Sequence, residues 1–250
     1  MHYRCIDLTK IQYLFFGWED TLIQSCLQNI MGDVYVDNLS HAQSAVAVLG
    51  DFHLFVGIPN KELLTIAEKR PYAILVGSNE RWDDLIEEVY KRAKAITRHA
   101  MKKNTNEFDQ AYLKKLSETI PPGFSVVPIT NQLYYKCLQQ SWSRDFVAQF
   151  KDAQQFENLG LGFVVLYQAM IVSGASSFSR YDTGIEIQIE TLPAYRRMGL
   201  ASCCAASLIL ACLERGLNPV WDAHTELSAQ FAVKLGYHYD YQYRAYELHI

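Results

Sequence analysis

The feature that most constrains the fold is an alternating segment, residues 183–190 (TGIEIQIE), followed by a short loop and an apolar run. Isoleucine at every second position, with Glu or Gln between, predicts a strand with one buried and one solvated face. The apolar run, residues 201–213 (ASCCAASLILACL), predicts a buried helix that stops at Gly216. Residues 219–224 (PVWDAH) begin another strand. Strand, loop, helix and strand form a βαβ unit, whose two strands should be parallel with a right-handed crossover.

Charge and hydropathy exclude several classes of partner. The apolar run has thirteen residues, whereas a membrane-spanning helix needs about 20. The chain carries 23 Lys and Arg against 27 Asp and Glu, a net charge of −4, so it has no general attraction to nucleic acid or to an anionic membrane. The N-terminus lacks the pattern of a secretion signal. We therefore expect a cytoplasmic protein that binds neither nucleic acid nor membrane.

The six cysteines have no C-x-x-C spacing. The adjacent pair Cys203 and Cys204 is poorly suited to a disulfide, so buried thiols in a reducing compartment are the preferred interpretation. Aspartate and histidine residues of the N-terminal half also lack any recognised ligand spacing. The sequence predicts no metal site.

The strongest break in the chain is Pro121-Pro122-Gly123. It follows a helical pattern and precedes a strand-like run, so we predict two domains, residues 1–122 and residues 123–250. The first domain reads as a smaller α/β layer without an assignable motif, and its role is unknown. Shaping a substrate site and forming a homo-oligomer interface are both open alternatives for it.

The loop between the alternating strand and the apolar helix has the sequence Arg196-Arg197-Met198-Gly199-Leu200-Ala201. The first N–H groups of a helix lack partners within the helix and lie at the positive end of its dipole, so they favour an anion. Gly199 and Ala201 keep side chains away from such a ligand. A pyrophosphate site is one interpretation of this loop, and an ordinary turn with solvated arginines is the other.

This loop matches Gln/Arg-x-x-Gly-x-Gly/Ala, the coenzyme A pyrophosphate pattern of the GNAT superfamily of N-acetyltransferases. A second segment, residues 225–237 (TELSAQFAVKLGY), resembles the next signature of that family through its Lys234-Leu235-Gly236-Tyr237 turn. The C-terminal half also looks like a two-domain bacterial branch that includes zwittermicin-type resistance acetyltransferases. The resemblance implies an α/β (α+β) chain, with a C-terminal GNAT fold whose mixed central sheet is splayed.

The same resemblance implies acetyl-CoA as co-substrate and a primary amine of a small molecule as acceptor. The donor would lie between the strand of residues 183–190 and the strand of residues 219–224. Residues implied to contact the donor are Ile189, Arg196, Arg197, Met198, Gly199, Leu200, Ala201, Thr225 and Ser228.

Three side chains are candidates for proton transfer: Glu186, Glu190 and His224. The two glutamates share a strand face but lie about 13 Å apart at 3.3 Å per residue, so at most one can touch the reacting amine. Glu186 is slightly favoured, because Glu190 lies beside the loop and could organise the turn instead. For His224, capping or packing is an equal alternative.

The chain departs from the family pattern at two positions. Ala232 stands where many members carry the tyrosine that protonates the departing thiolate, and the usual asparagine is replaced by Thr225, which can still cap the helix. The acid would then be water, His224 or another tyrosine such as Tyr237. An inactive module that binds and senses acetyl-CoA is therefore an alternative to an enzyme. Ser173, Ser176 and Ser177 either orient substrate or shape a turn around Gly174, and the turn is the favoured expectation.

Overall fold

The computed structural model describes residues 2–102 and 108–250. It divides into two compact units, Met1–Arg98 with Gln242–Ile250, and His99–Tyr241. Each unit has its own series of paired strands and its own buried apolar cluster. The first unit combines the N-terminal part of the chain with its C-terminal residues, so the division does not follow a single point in the sequence.

The first unit is built mainly from the N-terminal part of the chain. Its strands and α-helices in chain order are β1 (Tyr3–Arg4), α1 (Thr21–Leu27), β2 (Asp33–Val36), β3 (Ser44–Leu49), β4 (Phe52–Gly57), α2 (Lys61–Leu64), β5 (Tyr72–Gly77), α3 (Glu80–Val89) and the start of β6 (Lys94–Lys102). Short 3-10 turns lie at Leu8–Lys10, Gln12–Phe15 and Ala67–Lys69. The C-terminal strand completes the unit.

The sheet of the first unit has the order β1-β2-β3-β4-β5, followed by the C-terminal strand. Its pairs are antiparallel except β4 with β5, which are parallel. Trp82 of α3 is fully buried against Phe55, and its Nε1 donates a hydrogen bond to the Gly57 carbonyl at 3.0 Å. This helix therefore packs on the sheet by its aromatic face.

The second unit contains the segments singled out by the sequence. Its elements are the end of β6, α4 (Gln110–Glu118), β7 (Phe124–Pro128), α5 (Asn131–Leu138), α6 (Ala153–Leu159), β8 (Gly162–Tyr167), β9 (Met170–Tyr181), β10 (Gly184–Thr191), α7 (Leu200–Glu214), β11 (Asn218–Ala223), α8 (Glu226–Lys234) and the start of β12 (His238–His249). Two 3-10 turns lie at Arg144–Phe146 and Pro193–Tyr195.

The βαβ prediction is confirmed by β10, α7 and β11, since β10 and β11 pair in parallel. The sheet order is β6-β11-β10-β9-β8-β7, and the other pairs are antiparallel. The apolar helix α7 is buried along most of its length. In the described part of the chain, no helix is long and apolar enough to cross a membrane.

The two units share one strand pattern, although no repeat is visible in the sequence. In each, three antiparallel pairs are followed by one parallel pair and then one antiparallel pair. The sixth strand is β12 in the first unit and β6 in the second. Both units therefore fold as the same α/β topology.

The structure bears on two expectations, the turn at Gly174 and the division of the chain after residue 122. The turn expected at Gly174 is wrong, because β9 runs unbroken from Met170 to Tyr181 and pairs on both sides. Glycine is needed there for another reason: a Cβ on Gly174 would lie 2.6 Å from Cε2 of Phe146. The division at residues 122 and 123 stays a prediction, and those residues precede β7 within the second unit.

Gly174→Ala should destabilise the protein by about 1–3 kcal/mol, because the added methyl group has no room against the Phe146 ring. Urea unfolding followed by tryptophan fluorescence measures the change. The exposed strand variant Ser125→Ala is the control and should change stability by less than about 0.5 kcal/mol. If the clash is the cause, Phe146→Leu costs less in the Gly174→Ala background than in the wild type.

Candidate functional site

The parallel strands β10 and β11 pair over only three positions. The pairs are Gly184 with Asn218, Ile185 with Pro219 and Glu186 with Val220. Beyond them β10 continues to Thr191, whereas β11 continues to Ala223 along β6. The two strands therefore part after Glu186, as the splayed sheet of the sequence prediction requires.

The loop after β10 leads into an uncapped helix. Gly199 is the N-cap of α7 with φ of +82°, and no side chain accepts from the first N–H groups of the helix. A Cβ at Gly199 would meet nothing within 4 Å, so the space in front of the helix is open. Arg197 also adopts a positive φ of 63°. Free N–H groups at the positive end of a long buried helix form a site that suits an anion.

Glu190 and Arg196 hold the two ends of this loop together. The Arg196 guanidinium lies 3.2 Å from Oε1 of Glu190, and its Nε donates to the Thr191 carbonyl at 3.1 Å. The same Oε1 accepts from the Thr191 N–H at 2.9 Å. These contacts give Glu190 a turn-organising position, the alternative that the sequence had left open for it.

Glu186 lies at the point where the parallel pairing ends, and only 8% of its surface is exposed. The register with β9 shifts immediately after it, because Glu186 pairs with Ser179 and Ile187 pairs with Ser177. Phe178 is the extra residue. Such bulges re-aim side chains and are frequent beside active sites. Among the three proton-transfer candidates, Glu186 is the buried one at the strand divergence.

His224 and the start of α8 lie on the other side of the divergence. His224 is exposed and follows the last residue of β11, four positions beyond the Glu186 partner Val220, or about 13 Å along the strand. Thr225 caps α8 by accepting from the Ser228 N–H at 3.2 Å, and Ser228 Oγ lies 3.3 Å from Trp221 Nε1. The expected capping role of Thr225 is therefore confirmed.

Tyr237, the tyrosine named above as a possible acid, is buried and donates from its hydroxyl to the Pro219 carbonyl at 3.0 Å. Burial, and to a lesser extent the Cys212 thiol and the Glu186 carboxylate, hold the pKa of Tyr237 well above its usual value. Ala232, where a tyrosine is common in the family, is fully buried. Tyr237 thus stays protonated but is already committed to a main-chain carbonyl.

Six of the predicted donor residues, 196–201, follow one another through the loop and the start of α7, whereas the other three lie on other elements. Met198 and Arg197 are exposed beside Gly199, and Leu200 and Ala201 begin α7, with Leu200 buried. Ile189 is half-buried on β10, while Thr225 and Ser228 lie at the start of α8. The structure therefore gathers the loop residues at the helix start.

Sequence reasoning missed Ser179 and the segment that covers the polar face of β10. Ser176 Oγ donates to the Phe146 carbonyl at 2.6 Å, which ties the Arg144–Phe146 turn to β9. Ser179 shares the strand face of Glu186. Neither was accessible from sequence, because the bulge that aligns Ser179 with Glu186 leaves no local signature.

The comparisons with known proteins identify the class. A family model described as GNAT acetyltransferase matches residues 12–246. The chain therefore belongs to the GNAT acetyltransferase family, whose members use acetyl-CoA, and it is an N-acetyltransferase. The match runs through both units.

Individual relatives agree with this assignment. The chain is 27% identical over 270 residues to the uncharacterized N-acetyltransferase YdfB of Bacillus subtilis (strain 168), covering 96% of this chain and 97% of that protein. A crystal structure of a GCN5-related N-acetyltransferase-like protein from Streptococcus suis 89/1591 is 48% identical, with a TM-score of 0.93 over 96% of this chain and 97% of that one. A GCN5-related N-acetyltransferase from Kribbella flavida shares the fold, with a TM-score of 0.54, 15% identity and coverage of 98% and 95%.

Cysteine labelling tests the environment of the thiols. All six cysteines are free, and all except the half-buried Cys5 are buried. Burial raises the pKa of Cys26 and Cys137 to about 12, so these thiols stay protonated at pH 8, and the thiolate is the reactive form. We expect a thiol reagent to modify one of the six quickly in the native protein and all six after unfolding. Fast reaction of a second native thiol would contradict this.

Proposed function

We propose that the protein transfers an acetyl group directly from acetyl-CoA to a primary amine of a small molecule. The observation that carries this proposal is the end of the β10–β11 pairing at Glu186, beside the uncapped N-terminus of α7. The diverging strands leave main-chain groups of β10 available to the pantetheine arm. The open helix start suits the pyrophosphate.

In the proposed reaction Glu186 accepts a proton from the ammonium group of the acceptor, which leaves a neutral amine. The amine nitrogen then attacks the thioester carbonyl carbon, and the C–S bond breaks as the C–N bond forms. The nitrogen loses a second proton in this step, and the departing CoA thiolate takes up one proton, relayed by water or by a protein side chain. No covalent cysteine intermediate is needed, and Cys204 is fully buried with its thiol pKa raised by burial.

Glu186 is assigned as the base in preference to Glu190 and His224. The Glu190 carboxylate is bound by Arg196 and the Thr191 N–H, and these contacts stabilise its charged form. His224 is exposed and lies beyond the end of β11. A buried carboxylate at the strand divergence is better placed to take a proton from an amine held beside the thioester.

Titration calorimetry with acetyl-CoA tests the donor site. We expect one acetyl-CoA per chain, because the corresponding helix of the first unit, α2, has four residues and its N-terminus is capped by the Asn60 side chain. Gly199→Glu should abolish binding by filling and charging the anion site. Gly216→Glu is the matched control, since Gly216 also has a positive φ (+66°) and open space around it. Unchanged affinity in Gly199→Glu would remove the loop assignment.

Glu186→Gln tests the base. Acetyl-CoA affinity should persist, while kcat falls by about 100-fold or more, the usual contribution of a general base. Glu190→Gln is the comparison and should change kcat by less than about tenfold, because that carboxylate binds Arg196 instead. Equal turnover of Glu186→Gln and wild type at every pH would exclude Glu186 as the base.

The acceptor is sought by incubating acetyl-CoA with small primary amines and measuring CoA release by chromatography. The alternative, a module that binds and senses acetyl-CoA without turnover, is motivated by Ala232 in place of the family tyrosine. Release of CoA with any amine above the rate of hydrolysis favours the enzyme. Tight donor binding with no release across the panel favours the sensor.

We further propose that the chain belongs to the two-domain branch resembling zwittermicin-type resistance acetyltransferases. The family match from residue 12 to residue 246 supports a role for the first unit in the same protein, since the match is not confined to the donor loop. The small-molecule amine and a homo-oligomeric assembly belong to the same proposal.

A further inference from the structure

Ser179 carries a buried hydroxyl that has no hydrogen-bond partner among residues 2–102 and 108–250. Its residue surface is fully buried, and its Oγ lacks a donor or acceptor within bonding distance. An unsatisfied buried polar group costs about 1–3 kcal/mol, so such a group calls for an explanation. Violations of such a local rule are expected mainly at functional sites.

The neighbouring serines of β9 show that this is not a general property of the strand. Ser173 Oγ lies 2.7 Å from Thr191 Oγ1, and Ser176 Oγ donates to the Phe146 carbonyl at 2.6 Å. Ser177 Oγ accepts from the Leu161 N–H at 2.9 Å. Ser179 differs from all three of these serines.

The register places Ser179 directly opposite Glu186. Directly opposed residues of an antiparallel pair have side chains on the same face, with Cβ atoms about 4.5–5.5 Å apart. The bulge at Phe178 follows at once, so Ser177 pairs with Ile187 on the other face. The unsatisfied hydroxyl and the proposed base therefore lie side by side where β10 and β11 part.

We propose that Ser179 is a positioning residue for Glu186: in the complex with substrates, its hydroxyl donates a hydrogen bond to the Glu186 carboxylate. The inference rests on the proposed function. A hydrogen bond to the charged form stabilises the carboxylate and fixes its direction, so that the other carboxylate oxygen faces the incoming amine. Ser179 keeps its own proton throughout, and the proton from the amine ends on Glu186.

Other ionisable groups near β10 do not occupy this position. The titratable and charged side chains on the elements packed against β10 are Arg180 and Tyr181 on β9, Asp222 on β11, Cys203, Cys204, Cys212 and Glu214 on α7, and Arg144 and Asp145 in the 3-10 turn. Tyr237 also feels the charge of Glu186. In the register of β9, Ser179 is the residue opposite Glu186.

The test is the pH profile of kcat for Ser179→Ala, because kcat reports the groups that ionise in the enzyme–substrate complex. Loss of the donated hydrogen bond destabilises the carboxylate, so the ascending limb should move to higher pH by roughly half a unit or more, with kcat near pH 7 reduced about tenfold. Ser179→Thr keeps a hydroxyl and should restore the wild-type limb. Ser177→Ala is the matched control on the other strand face and should leave the limb in place.

A double-mutant cycle separates positioning from structure. If Ser179 acts through Glu186, adding Ser179→Ala to Glu186→Gln has no further effect on kcat. Because Ser179→Ala removes an unsatisfied buried hydroxyl, it should unfold at the same or higher urea concentration than wild type. If Ser179→Ala fails to fold, Ser179→Thr decides alone. An ascending limb at the wild-type pH supports the positioning role, and a displaced limb contradicts it.

Three results would overturn the inference: an unmoved limb in Ser179→Ala, additive loss with Glu186→Gln, or a displaced limb in Ser179→Thr. Failure of the proposed function is distinguishable, since wild-type protein would then release no CoA with any amine, and the inference would fall with it. If wild type and Glu186→Gln behave as proposed while Ser179→Ala matches wild type, the function stands and the positioning role is wrong.

Discussion

The site depends on a parallel strand pair that pairs for only three positions. A longer β10–β11 ladder would satisfy the main-chain groups of both strands and close the gap between them. Pairing instead stops at Glu186, and β11 takes β6 as its partner at its far end. The same divergence leaves the start of α7 open, because the loop of residues 192–199 must travel from one strand to the helix without covering it.

Around this divergence, one face of the sheet is packed with apolar side chains and the other carries polar ones. Ile185 and Ile187 lie in the core cluster with α7, which fixes β10 against the helix. On the opposite face, Gly174 makes room for Phe146, and Ser176 binds its carbonyl. The apolar face therefore holds β10 in place, and Glu186 and Ser179 face each other on the polar face.

The first unit repeats the strand pattern of the second but not the features of its proposed donor site. Its parallel pair, β4 and β5, stays paired from Phe52 and Ile74 as far as Phe55 and Gly77, the last residue of β5. The helix after β4 is short and capped by Asn60. Two units with the same topology can therefore differ in whether they offer a proposed donor site. The difference lies in where the parallel pairing ends and in whether the next helix is capped.

The sequence by itself determined the βαβ segment, the glycine at the start of its helix and the family. Strict alternation, the apolar helix and a glycine at the helix start are local patterns. Local patterns can be recognised in the sequence without knowledge of the fold. Only the tertiary structure decided which glutamate is buried, that β9 passes through Gly174 without a turn, and that Ser179 faces Glu186. These depend on register between strands, and a one-residue bulge reverses the face of every side chain beyond it.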